Sequence, residues 1–259
     1  MMSDQRDSGR GSRTRISRIA LLGFAVAVLA AIAMMAAALG YRLGLWSFRF
    51  ALLTLTDYAA YAAFAGGAIS LIGLGRSLPS NLPGVVVSVI GIVVGGYSCH
   101  TIYQQWVTVK SVPFIHDITT DTVNPPAFIA VVAAREAEGA NPHDYAGETV
   151  ARQQECGYPE LESFIAAAEP ATAYDRALDV ANSMDWEVVA ADRELGRIEA
   201  TDTSTWYGFK DDIVVRVISA DAGTGSRVDV RSLSRVGRSD VGVNAARIKA
   251  FLAALEVAL

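Results

Sequence analysis

One stretch constrains the fold of this chain more than any other: from Ile19 to Val109 the only charged side chains are Arg42, Arg49, Asp57 and Arg76. Three apolar runs lie within it, from about Ile19 to Gly40, from about Phe50 to Gly73 and from about Pro83 to Trp106. Roughly 20 apolar residues are needed to cross the hydrocarbon core of a bilayer. The first run is too long for a cleaved signal peptide. We therefore expect three transmembrane helices over residues 19–106.

Small residues recur at helical spacing in the second and third runs. The second run carries Ala59, Ala63 and Gly67, and the third carries Gly84, Ser88, Gly91 and Gly95. Such stripes let helix backbones approach closely in lipid. We predict that these two helices pack on each other or on a partner.

The cations that flank the runs predict the orientation. One side holds six of them, Arg6, Arg10, Arg13, Arg15, Arg18 and Arg76, and the other side holds three, Arg42, Arg49 and Lys110. Cytoplasmic flanks carry the excess of Lys and Arg. We therefore expect residues 1–18 to form a basic cytoplasmic N-terminus in a bacterial inner membrane. The residues that follow Lys110 would then lie in the periplasm.

Charge divides the chain at the same place. Residues 1–110 carry nine Lys/Arg and three Asp/Glu, a net charge of +6, whereas residues 111–259 carry thirteen and twenty-four, a net charge of −11. A strongly acidic domain argues against nucleic-acid binding, which depends on neutralising phosphates. The two cysteines, Cys99 and Cys156, form no CxxC zinc motif. We expect neither a cofactor nor a metal site.

The second half predicts an α+β domain. Residues 107–128 are rich in Pro, Thr and Asp, which predicts an extended lead-in, and residues 129–259 would form the domain itself. A helix is predicted over 127–138, and residues 140–170 look loop-rich. Helical and alternating patterns then predict a helix capped by Thr172, strands at 186–190, 197–203, 213–219 and 227–233, and a helix over 243–257. This order fits two layers with a mainly antiparallel sheet.

Three segments of this half are similar to a known family. They are 116–121 (HDITTD) followed by 125–128 (PPAF), 158–160 (YPE), and 230–244 (VRSLSRVGRSDVGVN). The last segment resembles, along its full length, the signature Arg-Ser-x-Ser-Arg-x-Gly-x-Ser-Asp-x-Gly-x-Asn of the Domain of Unknown Function 1499 family. The resemblance covers roughly residues 111–259. It implies a bacterial envelope-associated or chloroplast-type domain, and it supplies no activity.

The strongest candidate site lies between the last strand and the last helix. It consists of Arg231, Ser232, Ser234, Arg235, Arg238, Ser239, Asp240 and Asn244. Free N–H groups at a helix start, with Arg and Ser beside them, bind anions such as phosphate, sulfate, carboxylate or a lipid headgroup. The alternative is a structural knot in which Arg231 or Arg235 pairs with Asp229, Asp211 or Asp240.

A secondary candidate lies in the lead-in and consists of His116, Asp117 and Asp121. A histidine beside two carboxylates is typical of an acid–base pair or a metal site. The alternative is a capped turn that fastens the lead-in to the sheet, because Asp and Thr commonly bond local backbone.

These patterns favour a membrane-tethered, non-enzymatic domain on the periplasmic side that binds an envelope partner protein or an anionic small ligand. The alternative is an envelope hydrolase or transferase that uses the His116/Asp117 region with Arg235 and Arg238. It requires those two regions to meet in one cleft.

Overall fold

A computed structural model describes residues 16–220 and 223–259. The predicted basic N-terminus therefore lies almost entirely outside the described residues. The chain divides into two compact units, Met1–Gln104 and Gln105–Leu259. Each unit is described by itself below.

The first unit is built from long apolar helices. Helix α1 spans Arg18–Arg42, the short helix α2 spans Phe48–Phe50, and a π-helical stretch, Ala51–Leu55, joins α2 to α3, Thr56–Ser77. Helix α4 spans Leu82–Ser111. Three continuous helical segments, α1, Phe48–Ser77 and α4, are long and apolar enough to cross a membrane. The prediction of three such helices is confirmed.

Glycines set how closely these helices approach. A Cβ added to Gly95 of α4 would lie 2.7 Å from the carbonyl oxygen of Ala63 and 3.0 Å from the Cα of Gly67 in α3. Also in α3, a Cβ on Gly66 would lie 2.5 Å from the backbone nitrogen of Ala27 in α1. The predicted packing of the second helix on the third is therefore confirmed, because only small residues permit such contacts.

The second unit is an α+β domain. Its elements are β1 (Asp117–Thr119), α5 (Val132–Ala137), α6 (Glu148–Gly157), β2 (Phe164–Ala166), α7 (Pro170–Ser183), β3 (Glu187–Asp192), β4 (Arg197–Thr203), β5 (Lys210–Ser219), β6 (Ser226–Ser234) and α8 (Val243–Ala258). The strands form one open antiparallel sheet in the order β1-β6-β5-β4-β3. Strand β2 also pairs with β6, beside the part of β6 that precedes the β1 pairing. The predicted fold class is confirmed.

The sequence patterns missed three elements and misplaced two helix starts. Strands β1 and β2 have three residues each, too few to show an alternation, and they exist because β6 offers a free edge. Helix α6 lies in the stretch that was predicted to be loop-rich. Helix α5 is shorter than predicted. Helix α7 begins at Pro170 and not after Thr172, because proline suits the first turn of a helix, where its missing N–H is not needed.

Helices α7 and α8 cover one face of the sheet and form the main apolar core with it. Trp186 stacks on Phe251 at a centroid distance of 5.2 Å. The sheet contributes the buried residues Ile118, Ile198, Ala200, Ile213, Val215, Val217, Val228 and Val230. Since strand side chains alternate between faces, the residues between these ones point to the opposite face.

Residues 121–145, which we call the covering segment, pack on that opposite face. Their apolar contacts are few, because only Phe128, Val131 and Val132 meet Val214 and Leu233 of the sheet. The backbone N–H groups of Ile129 and Val131 donate to the carboxylate of Glu199 at 2.9 and 3.1 Å. Polar contacts therefore hold the covering segment, and Arg231, Ser234 and Arg235 of the candidate site supply several of them.

Candidate functional site

The face under the covering segment is charged because acids and bases alternate along its strands. Strand β5 places Asp212 and Arg216 there, and β6 places Arg227, Asp229 and Arg231 there. Asp212, Asp229 and Arg231 are buried. Buried charges are tolerated only where they are paired and hydrogen-bonded, so the partner of each one decides what the site can do.

All three guanidinium nitrogens of Arg231 donate hydrogen bonds to other groups of the same chain. Its Nε and Nη2 donate to the two carboxylate oxygens of Asp117 at 2.8 Å each, and both side chains are buried. Nη1 donates to the carbonyl of Pro126 at 3.2 Å, and Nη2 also donates to the carbonyl of His143 at 2.8 Å. Arg231 therefore clamps β1 and both ends of the covering segment to β6.

Two aromatic rings enclose the Arg231 guanidinium. Its carbon lies 5.0 Å from the ring centre of Phe128 and 5.4 Å from that of Tyr145. Burial, reinforced by the charge of Asp117, raises the pKa of Tyr145 to about 12. The rings exclude water from the ion pair and strengthen it, since its effective dielectric constant falls. This arrangement is typical of a structural clamp.

The guanidinium of Arg235 is likewise bonded to side chains of the same chain. It donates to both oxygens of Asp212 at 2.9 and 2.7 Å, to Thr201 at 3.3 Å, and it pairs with Glu138 at 2.9 Å. The hydrogen bonds to Asp212 raise the pKa of Arg235, despite its burial. Arg135 of α5 shares Asp212 at 2.5 Å, and burial lowers the pKa of Arg135. Two arginines thus surround one buried carboxylate.

Asn244, at the start of α8, joins the serines of the candidate site. Its amide oxygen accepts from Ser232 at 2.7 Å, and its amide nitrogen donates to Ser234 and to the backbone carbonyl of His116 at 3.0 Å each. Arg247 donates to the oxygens of Asn244 and Ser232 and also binds Asp202 and Asp211. These side chains fasten α8 to the end of the sheet.

Asp240 occupies the N-terminus of α8. Its carboxylate accepts from the backbone N–H of Gly242 at 3.0 Å and of Asn244 at 2.8 Å. Burial raises the pKa of Asp240, although these two hydrogen bonds oppose the rise. Two of the N–H groups at this helix start that were candidates for binding an anion are therefore occupied by the carboxylate of Asp240, a residue able to cap this helix.

The knot of ion pairs expected from the sequence does form, but with other partners. Arg231 pairs with Asp117 and not with Asp229, Asp211 or Asp240, and Arg235 pairs with Asp212 and Glu138. The preferred partners lie across the sheet or in the covering segment. Sequence proximity had suggested the nearer acids.

Arg238 differs from its neighbours because it faces outward. Its side chain is exposed, and its guanidinium lies 5.7 Å from the ring centre of Phe114. Within the described residues no carboxylate lies within 4 Å of it, and the backbone N–H groups of Arg238 and Ser239 have no acceptor there. The hydroxyl oxygen of Ser239 accepts from Val241 at 3.2 Å and retains its own proton to donate. These donors form the one outward-facing cationic group among the candidates.

The secondary candidates do not form one constellation. The backbone carbonyl of His116 accepts hydrogen bonds from Ser234 and Asn244. The carboxylate of Asp117 forms the ion pair with Arg231. Asp121 accepts from the N–H groups of Val123 and Asn124 and pairs with Arg216 at 2.9 Å and Arg227 at 3.4 Å. In the part of the chain that the structure describes, no three His, Cys, Asp or Glu side chains are placed to hold a metal ion.

An open hollow of about 460 Å³ adjoins Asp121. It is lined by Thr120, Asp121, Thr122, Val123, Asn124, Ser163 and Arg227. The charges around it are balanced, since Arg216 and Arg227 both bind Asp229 as well as Asp121. This hollow offers polar groups but no excess of either charge.

Several residues that build the charged face were not among the site residues predicted from the sequence: Arg135, Glu138, Gln154, Glu199, Asp212 and Arg216. The alternation of charge along β5 and β6 was the signal that could have found the strand residues, because a strand whose second face carries acids and bases in turn needs charged partners. The residues of the covering segment gave no such signal.

Together these features define a class: a protein with three membrane-capable helices followed by an α+β domain whose open antiparallel sheet is apolar on one face and ion-paired on the other. The model of the family described as protein of unknown function (DUF1499) matches residues 117–255, more than half of the chain. The chain belongs to this family, and the resemblance found in its sequence is confirmed. Among curated proteins no relative matches it.

Proposed function

We propose that this chain is a membrane-tethered domain that binds an anionic ligand through Arg238 and does not catalyse a reaction. One observation carries the proposal. Of the four arginines between residues 231 and 247, Arg231, Arg235 and Arg247 are buried against carboxylates, and Arg238 is exposed with no such partner among the described residues.

The groups around Arg238 suit an oxyanion. A guanidinium presents a planar fork of donors that matches two oxygens of a phosphate or carboxylate. The N–H groups of Arg238 and Ser239 and the hydroxyl of Ser239 add donors beside it. A ligand held by these few exposed donors should bind with a Kd of roughly 1 mM, which corresponds to about 4 kcal/mol.

The side of the membrane is part of the proposal. The larger number of flanking cations around the N-terminus and Arg76 supports a cytoplasmic N-terminus in a bacterial inner membrane, and three crossings would place the domain in the periplasm. An anion site there would serve an envelope ligand.

The test uses the full chain in a neutral detergent and compares the wild type, Arg238→Ala and the matched control Arg152→Ala. Arg152 is exposed and pairs with Glu148 one helical turn away. With inorganic phosphate at ten times a millimolar Kd, binding to the folded state should add about 1.4 kcal/mol to the free energy of unfolding. Calorimetric titration should give the same Kd.

The proposal requires the wild type and Arg152→Ala to bind phosphate or sulfate and Arg238→Ala to lose that binding while it stays folded. Equal binding by all three proteins would mean that the anion binds elsewhere and would refute the assignment to Arg238. No binding of any small anion would refute a free anion as the ligand and would leave a lipid headgroup or a protein partner.

A hydrolase or transferase remains the second candidate, on one observation. The antiparallel pairing of β1 with β6 brings the backbone of His116 beside Ser234, at the same end of the sheet as Arg235. However, Asp117 and Arg235 already have partners at hydrogen-bonding distance. Turnover of an envelope ester or phosphoester that disappears in a folded His116→Gln variant would favour the enzyme over the binding domain.

A further inference from the structure

Several exposed apolar side chains gather at one end of the sheet. Thr203 pairs with Lys210 across β4 and β5, and the N–H of Arg235 donates to the carbonyl of Lys210 at 2.9 Å. These three residues therefore share a row across the sheet. The hairpin loop 204–209 and the turn 236–242 both leave the sheet beyond that row, at what we call the entry end.

The chain from α4 reaches the domain at the same end. The carbonyl of His116 accepts from the N–H of Ser234, and the carbonyl of Ile115 accepts from the N–H of Asp240, both at 3.0 Å. Only residues 112–114 separate Ile115 from Ser111, the last residue of α4. Four extended residues span at most about 14 Å. The entry end is therefore held within that reach of the end of α4.

The end of α4 has the composition of a membrane interface. The ammonium of Lys110 lies 3.7 Å from the ring centre of Trp106. Trp and Tyr gather where the apolar core of a bilayer meets the headgroups, and Lys extends from there to the lipid phosphates. The short link to Ile115 then keeps the entry end near the headgroups, whatever the tilt of the helix.

The entry end displays side chains that suit that environment. Phe114 is 58% exposed, Trp206 is 70% exposed and Val243 is 49% exposed. Arg238 lies over the ring of Phe114. In the hairpin loop, Tyr207 and Phe209 stack at 4.9 Å, which holds the loop while Trp206 projects from it. Adjacent strands are about 4.8 Å apart, so the loop lies roughly 10–15 Å from the β1 side.

We infer that the entry end docks on the bilayer that holds the chain's own helices, with Phe114 and Trp206 at the headgroup interface and Arg238 on a lipid phosphate. The inference rests on the proposed function, since it names the anion that Arg238 binds. A domain with a net charge of −11 is repelled by an anionic membrane as a whole. Contact between this acidic domain and an anionic membrane therefore requires a cation at the end that docks, and Arg238 provides it.

The experiment reconstitutes the full chain into vesicles of phosphatidylcholine and phosphatidylglycerol whose acyl chains are brominated close to the headgroup. Bromine quenches tryptophan fluorescence on contact. The chain has four tryptophans, so the signal of Trp206 is obtained as the difference between the wild type and Trp206→Phe. We expect this difference signal to be quenched, to lose most of its quenching in Arg238→Glu, and to be unchanged in the control Arg152→Glu.

Two results overturn the inference. One is a Trp206 signal that the brominated lipids do not quench in the wild type, and the other is quenching that persists in Arg238→Glu. The phosphate titration in detergent separates this failure from that of the proposed function. Phosphate binding without quenching keeps the anion site and removes the membrane contact, whereas Arg238-dependent quenching without phosphate binding supports the lipid headgroup as the ligand and removes the free anion.

Discussion

Replacing Arg231 with Met should nearly unfold the C-terminal domain. Arg231→Met removes the bidentate partner of Asp117, whose side chain stays buried, and it leaves the carbonyls of Pro126 and His143 without their donor. Methionine fills much of the space between Phe128 and Tyr145, so the loss is mainly one of charge pairing.

The expected magnitude follows from those contacts. Removing one member of a buried ion pair costs about 3–5 kcal/mol, because the other charge stays buried without a partner. Each carbonyl that loses its donor adds up to about 1 kcal/mol. The total, about 3–7 kcal/mol, is comparable to the lower part of the 5–15 kcal/mol that typically holds a domain folded.

Removing the second charge should reverse much of the damage. In Arg231→Met/Asp117→Leu no charge remains between the two aromatic rings, and apolar replacements of buried ion pairs are often neutral. We expect the double variant to be at least about 2 kcal/mol more stable than Arg231→Met.

Hydrogen exchange of the full chain in detergent measures both effects. Amides of β5 and β6 report the free energy of global opening, and amides of 117–126 and 141–145 report release of the clamped segments. Arg176→Met on the exposed side of α7 is the matched control. A loss under about 1 kcal/mol in Arg231→Met, or a double variant no more stable than the single one, would refute the clamp.

Two further predictions concern the covering segment and β1. The side-chain amide of Gln154 accepts from the backbone N–H of Thr119 at 2.9 Å and donates to its carbonyl at 2.5 Å. Gln154→Leu removes both bonds, so we expect the free energy of unfolding to fall by about 1–2 kcal/mol and the Thr119 amide to exchange faster. Unchanged exchange at Thr119 would contradict this prediction. For Glu138, burial raises the pKa, but hydrogen bonds from Lys210 and Arg235 outweigh it and lower the pKa. Because the folded pKa is the lower one, this stability is present at neutral pH and is lost as the pH falls below about 4.3, the ordinary value for Glu, through the folded pKa. Thermal melts of Glu138→Gln should therefore show a deficit under about 1 kcal/mol at neutral pH that closes in acid, and a deficit independent of pH would contradict this.

The sequence predicted the elements whose pattern extends over enough residues. Helices α1, α3 and α4 were predicted from long apolar runs, and helices α7 and α8 and strands β3 to β6 from helical or alternating apolar patterns. It did not predict β1, β2 and α6, because three-residue strands have no measurable period and α6 has few apolar residues among its ten. The sequence also identified the candidate residues of 231–244, but it did not distinguish the arginines that are paired with carboxylates from the one that is exposed.

The sequence by itself determined that three helices can cross a membrane, that an antiparallel α+β domain follows, and that the chain carries its family's Arg/Ser segment. These properties follow from local composition and spacing. Only the tertiary structure decided which of the arginines are buried against carboxylates and which one is exposed. Arg231 meets Asp117 across 114 positions of sequence, and Arg135 meets Asp212 across 77. Such pairings depend on strand order and on the covering segment, so no local pattern encodes them. The outward position of Arg238 follows from the same packing, which provides buried carboxylates for its neighbours and, among residues 16–220 and 223–259, none for Arg238.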